Sequence, residues 1–306
     1  MRFAARHGGV KYREFCLDPE AHVRAFVKTA EDFDMDWVNV MSDPYCEAEP
    51  FGMEIEYPED ELPRDAGPIV GSADEVFEIA PPKEMDHPRL SGRIRQVELF
   101  RERVGGEQFI VGWVEGPFAM YSLFRGLTDA CLDLHDRPDA VRHGVEVAVE
   151  FAKRFAEAQV KAGADAIGMG DAVCSQIGPG PYREFVLEGE REIIAHIHSL
   201  GAIAKLHICG NTSKLLPDMI ATDADIVDVD HLAGSMAPFA PLLGPRQVLC
   251  GSSDPVRVVQ DGTSETIRAN VERCTGETKG RCIVSAGCEI TPGTPDLNLR
   301  SLSGSR

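Results

Sequence analysis

Short, continuous apolar runs recur along the last two thirds of this chain, at 109–114, 166–169, 202–206, 226–229, 247–250 and 282–285. An earlier stretch, 36–41, has the same character. Runs of this length, apolar throughout and not alternating, read as strands buried on both faces, which parallel sheets between helical layers require. The stretches between them have helical periodicity. From Pro138 to Ala162, Val141, Val145, Ala148, Ala152 and Phe155 form one stripe while Arg142, Glu146, Glu150 and Lys153 lie elsewhere. Gly163 follows as a left-handed cap. Residues 182–200 repeat the design with Gly201 as the stop, and 264–274 opens on Ser264 as N-cap. Repeated βα units predict a (β/α)₈ barrel of TIM type, with an open doubly wound sheet as the second choice.

The first third reads differently. Residues 44–88 are rich in proline and acid, with only short apolar runs. The expectation is one barrel domain over 1–306, with 1–108 an irregular covering part containing one strand and 109–300 the regular units. Hydrophobic residues make up 43% of the 306, and no run approaches the length of a membrane span. Residues 1–10 lack the apolar segment of a secretory signal, so a cytoplasmic protein is expected. A net charge of −19 argues against nucleic acid or an anionic membrane as partner, because both reward Lys and Arg. Nine cysteines in such a chain read as reduced thiols, some of them available to a metal. Neither Gly-x-Gly-x-x-Gly nor a Walker A loop occurs, so nucleotide chemistry has no support.

Nearly every predicted strand ends in a reactive side chain: Asp43, Glu115, Asp171, His207 with Cys209, Asp230 with His231, Asp254, and Cys288 with Glu289. Barrels build their sites at the carboxyl ends of the strands, so these groups should converge. His207, Cys209 and Cys288 supply one imidazole and two thiols, a soft set that suits zinc. Three protein ligands leave a coordination position open, as a catalytic zinc needs. Cys250, at another strand end, is the substitute ligand. Asp230 is a fourth oxygen ligand, a partner orienting His207, or a helix cap. Glu115 and Asp171 are the candidates to touch substrate or supply a proton, and Asn211, Asp254 and Glu289 to bind it. The bland alternative is that each cysteine is a small buried hydrophobe and each acid a cap. Asp133-Leu134-His135 begins like a cobalt-binding Asp-x-His-x-x-Gly motif but reaches Pro138 where glycine is needed.

Val114-Glu115-Gly116-Pro117-Phe118, Gly170-Asp171-Ala172-Val173-Cys174-Ser175, His207-Ile208-Cys209-Gly210-Asn211-Thr212, Gly251-Ser252-Ser253-Asp254-Pro255 and Gly287-Cys288-Glu289-Ile290, with Thr294-Pro295 and Asn298, resemble the uroporphyrinogen decarboxylase superfamily in order and spacing. Within it they are most similar to the zinc-dependent corrinoid methyltransferase branch. The resemblance implies zinc on His207, Cys209 and Cys288, and methyl exchange between a thiol or a small methyl donor and a corrinoid carried by a partner protein. Zinc would lower the pKa of a bound thiol and present it as thiolate. Three features depart from the family pattern. The arginine-rich N-terminal segment of the decarboxylase branch is missing, Ser252-Ser253 replaces an asparagine before Asp254, and the usual first strand is absent, which leaves seven. The exposed strand edge that this predicts would be covered by residues 1–35, by the proline-rich segment, or by a second subunit in a homodimer.

Overall fold

The computed structural model describes residues 1–304. Its main sheet has seven strands: β1 (Trp37–Asn39), β2 (Phe109–Glu115), β3 (Ala166–Gly170), β4 (Ile203–Ile208), β5 (Ile226–Val229), β6 (Val248–Ser253) and β7 (Cys282–Ala286). They lie side by side in chain order, all parallel. Each falls on one of the apolar runs, because a strand covered on both faces has no position that rewards a polar side chain. A sheet of seven parallel strands with helices between them, curled towards a barrel, is the TIM-type architecture.

The helices number, in order of use, α1 (Arg2–His7), α2 (Pro19–Asp32), α3 (Pro88–Val104), α4 (Pro117–Arg125), α5 (Pro138–Ala162), α6 (Leu187–Ser199), α7 (Ser264–Thr278) and α8 (Asp296–Ser303). Helix α5 has the predicted bounds and ends on Gly163 in the left-handed conformation. The cap of α7 is one residue earlier than expected: Thr263 accepts the backbone N–H of Thr266, whose hydroxyl receives that of Thr263.

The N-terminal third is regular only in part: helices precede and follow residues 44–87, and that proline-rich stretch holds short helical turns and a pair of two-residue strands. Helix α2 starts on Pro19 with Asp18 accepting the N–H groups of Glu20 and Ala21. It buries Ala21, Val23, Ala25, Phe26 and Ala30. That stripe recurs at helical spacing against exposed Glu20, Arg24, Lys28 and Glu31, so the helix is written in the sequence. Helix α3 carries five arginines, the buried Arg93 among them, which dilute its apolar face.

Strands β1 and β7 do not pair among the described residues. The gap is closed within the chain. Phe3 of α1, Phe33 beyond α2 and Leu299 of α8 form a small apolar cluster joined by Met35, Ile290 and Leu302. Glu289 accepts the backbone N–H of Arg2 at 2.7 Å and meets the N-terminal ammonium at 3.0 Å. Residues 1–35 and the C-terminal helix therefore lie over the edge, one of the coverings expected from the sequence.

Inside the barrel, glycine decides what fills the space. Gly168 and Gly170 face inward from β3, and a Cβ on either would lie 2.6 or 2.5 Å from the Trp113 ring. The indole of Trp113, from β2, occupies the room that two β3 side chains would otherwise take. No helix among the described residues is long and apolar enough to cross a membrane.

Candidate metal centre

Along β4 successive side chains alternate between faces. Lys205 and His207 therefore share one face, and Cys209 continues it just past the strand end. Gly210 then turns the chain with φ +87°, a left-handed conformation that glycine adopts without strain. Across the barrel, Gly287 donates its N–H to the Ser253 carbonyl at 2.8 Å, which anchors the turn that carries Cys288.

These three side chains meet. His207 Nε2 lies 3.0 Å from Cys209 Sγ, and Cys209 Sγ lies 3.9 Å from Cys288 Sγ. All three ligand atoms fall within 4.8 Å of one another. A tetrahedral zinc about 2.3 Å from each of two sulfurs would hold them roughly 3.7 Å apart, so the thiol pair already has a ligand-like spacing. The other ring nitrogen of His207, Nδ1, is buried, and its neighbour is Asp228 Oδ2 at 3.4 Å. The donor set and this orientation fit a zinc ion: Nε2 faces the thiols and Nδ1 faces a carboxylate.

The electrostatics favour ligand-ready thiols. Burial disfavours an imidazolium at His207, but the charge and hydrogen bonding of Asp228 outweigh it and lift the group to about 9. Hydrogen bonds from Cys209 and His207 pull the Cys288 thiol down to about 5 against its burial. The hydrogen bond to Cys288, burial and the charge of Cys288 push Cys209 up. The contact between the sulfurs thus favours the thiolate at Cys288 and the thiol at Cys209.

The other predicted residues take several places. Cys250 is buried, 3.3 Å from Ser285 Oγ, and outside the ligand cluster. Asp230 uses one oxygen to accept Gly210 N–H at 2.9 Å and the other to accept Leu232 N–H at 3.0 Å. It holds the turn that carries Cys209. His231 bridges Asp230 (2.7 Å) and Asp254 (3.5 Å), and Asp254 also caps the next turn through Val256 and Arg257 N–H. Asn211 is exposed and accepts from Ser213, while Glu289 is engaged with the N-terminus. Asp171 is fully buried, accepting Phe118 N–H at 3.2 Å and Ala119 N–H at 2.6 Å at the start of α4. With Cys174 and Glu190 it forms a second buried cluster. Burial pushes the Asp171 carboxyl up to about 7 despite those amide bonds. Glu115 is buried, accepts Trp113 Nε1–H at 2.9 Å, and is lifted by burial to about 8.

Three participants were not singled out from the sequence. Asp228 stands opposite His207 in the β4–β5 register. Lys205 pairs with Asp228 at 2.5 Å. Glu47, buried, accepts the backbone N–H of Glu115 at 2.8 Å. The signal for the first two was a charge inside an apolar strand run, Ala204-Lys205-Leu206 and Val227-Asp228-Val229, where burial of a charge demands a partner. Glu47, in a short turn of the proline-rich segment, gave no such signal.

Comparison with known proteins gives the relatives and the family. Methylcobamide:CoM methyltransferase MtbA of Methanosarcina mazei is 28% identical over 295 residues, covering 93% of this chain and 85% of that protein. Methylcobamide:CoM methyltransferase MtaA of Methanosarcina barkeri is 26% identical over 220 residues, covering 71% of this chain and 63% of that protein. A solved methyltransferase from Methanosarcina mazei superposes with TM-score 0.90 at 22% identity, covering 100% of this chain and 90% of the other, which supports the fold. The profile of the Uroporphyrinogen decarboxylase (URO-D) family matches residues 2–305, so this chain belongs to that family.

Proposed function

We propose that the protein is a zinc-dependent methyltransferase that moves a methyl group between a corrinoid protein and a small methyl donor or thiol acceptor. The observation that carries this reading is the convergence of His207 Nε2 and the sulfurs of Cys209 and Cys288 at the carboxyl ends of β4 and β7. The relatives' names supply the chemistry: both act on a methylcobamide and the thiol CoM.

A zinc ion held by one imidazole and two thiolates lowers the pKa of a thiol that coordinates it and keeps the sulfur electron-rich. The rest falls to the chain. Asp228 orients the His207 ring, Asp230 fixes the Cys209 turn, and Glu115 is the group poised to take or return the thiol proton near neutral pH. Asp171 shapes the wall by anchoring α4. The corrinoid comes on a partner that presents its cobalt at the mouth formed by the loops after Glu115, Asp171 and Cys288. The setting in this reading is the cytoplasm. The decarboxylase reading asks for cations to receive an acidic substrate, and the cation on the His207 face, Lys205, is already paired with Asp228.

Metal analysis and a methyl-transfer assay with methylcobalamin and a thiol test the proposal. The wild type should hold close to one zinc per chain, and Cys209→Ser or Cys288→Ser should lose most of it together with the activity. A metal-free wild type of undiminished activity would sink the reading.

A further inference from the structure

Both tryptophans of the chain, Trp37 and Trp113, lie against the same ammonium. Lys205 Nζ is 5.7 Å from the Trp37 ring centroid and 5.6 Å from that of Trp113, within cation–π range of each. The same ammonium meets Asp228 Oδ2 at 2.5 Å, and that oxygen is 3.4 Å from His207 Nδ1. Trp113 is itself confined, over Gly168 and Gly170 on one side and by the bond from Nε1 to Glu115 at its edge. One contiguous series therefore runs Glu115, Trp113, Lys205, Asp228, His207 across four neighbouring strands.

We propose that Lys205 is a positioning residue for the metal centre, held by the two indoles so that it keeps Asp228 fixed beside His207 Nδ1. This rests on the zinc reading above and goes further: it assigns the choice of His207 ring nitrogen to a lysine that touches neither metal nor substrate. Asp228, with a side chain only 10% exposed, meets the Lys205 ammonium at 2.5 Å, and without that contact nothing on its other side fixes where the oxygen facing His207 Nδ1 lies. A lysine on its own is a poor fixture, because its four-carbon stem has many rotamers. Two aromatic faces remove that freedom, and the glycines at 168 and 170 let one of those faces lie where it must. Holding Nδ1–H on Asp228 leaves the Nε2 lone pair for the metal, the arrangement by which carboxylates tune ligand histidines.

The test is zinc affinity, measured at one pH by competition with a chromophoric chelator, on the full-length wild type and on Lys205→Met, Asp228→Asn, the double variant and Lys205→Arg. Lys205→Met and Asp228→Asn should each weaken zinc about ten- to hundredfold. The double should be no weaker than the worse single, because both changes break one linkage. Lys205→Arg, which keeps the charge and the stacking, should recover most of the affinity. Tryptophan fluorescence and near-UV circular dichroism check the fold of each. Where Lys205→Met does not fold, Lys205→Gln takes its place in the cycle with the same expectation. Zinc affinity unchanged within about twofold in the neutral variant, or singles that multiply in the double, overturns the inference while leaving the metal reading intact. A wild type that binds no zinc overturns both.

Discussion

Asp230, at the end of β5, accepts the backbone N–H of Gly210, beyond the end of β4, across 2.9 Å. The residue after Cys209 is thus tied to the neighbouring strand through a carboxylate. With Leu232 N–H on its other oxygen, Asp230 has both oxygens engaged by the backbone. The three alternatives for this residue resolve, in our reading, into an anchor for the ligand turn.

Asp230→Ala should therefore act on the metal without removing a ligand. It leaves the Gly210 amide without its acceptor, at a cost of about 1–3 kcal/mol, and frees the turn that carries Cys209. Zinc should bind more weakly and exchange faster, while the ligand set stays complete. Asp230→Asn keeps one carbonyl acceptor and should fall between the two. Zinc exchange rates that match the wild type in both variants would refute the anchoring role.

Removing zinc should leave the fold standing. The three ligands sit at strand ends, whereas the core is built from residues such as Phe118, Tyr121, Phe151 and Phe155, all essentially inaccessible to solvent. A chain of this size buries enough surface to fold without one ion. Chelation should lower the melting temperature, by the amount that mass action assigns to a ligand bound only by the native state, with little change in the far-UV circular dichroism. Loss of helical signal on chelation would contradict this.

His22 gives the stability a pH dependence away from the site. Its ring is fully buried, packs on Phe15 at 4.3 Å, and lies 3.3 Å from the Asn39 carbonyl through Nε2. Burial, with the nearby positive charge of Arg93, lowers its pKa from 6.5 to about 3. A base whose folded pKa is depressed stabilises the native state above the unfolded value, and that contribution is lost as pH falls towards the folded one. Stability should decline between about pH 6.5 and 3, with His22 supplying a slope of up to ~1.4 kcal/mol per pH unit. His22→Phe should flatten that part of the curve in denaturant titrations. An unchanged slope would mean that other groups carry the acid sensitivity.

The sheet was legible because burial on both faces writes itself as unbroken apolar runs, and each of the seven strands lies on one. The ligands were legible because chemistry at a strand end needs uncommon side chains: His207 and Cys209 two apart, and Cys288 after the last run. Lys205 and Asp228 sat inside those same runs, and the pattern that revealed the strands averaged them away. Their pairing depends on the β4–β5 register, which sets residues 21 to 23 positions apart side by side and leaves no local trace. Helix α2, by contrast, carries a local signal, since Ala21, Ala25 with Phe26, and Ala30 recur at helical spacing against Glu20, Arg24, Lys28 and Glu31. The strand-end acids illustrate the ambiguity of a single aspartate. Asp171 and Asp230 are acceptors for backbone amides, and only tertiary contacts reveal which amides.

Glu115 should behave as a neutral acid at pH 7. Burial lifts it to about 8, against the hydrogen bond from Trp113 and with help from the charges of Asp43 and Asp171. Its buried neighbour Glu47 is raised as well, by burial and by Glu115 itself, so the pair is coupled. A carboxyl whose folded pKa lies above the unfolded one stabilises the native state below about 4.5, and that contribution disappears as pH rises through 8. Glu115→Gln mimics the neutral acid in shape and can still accept from Trp113 Nε1. It should keep near-native stability at pH 6 and lose less stability than the wild type between pH 6 and 9. If Glu115 also handles the thiol proton, the same variant should lower the methyl-transfer rate while its zinc content is unchanged. Retained activity with a flattened pH–stability curve would leave Glu115 a structural acid. A stability loss at pH 6 would show that it is ionised in the folded protein, contrary to the environment described above.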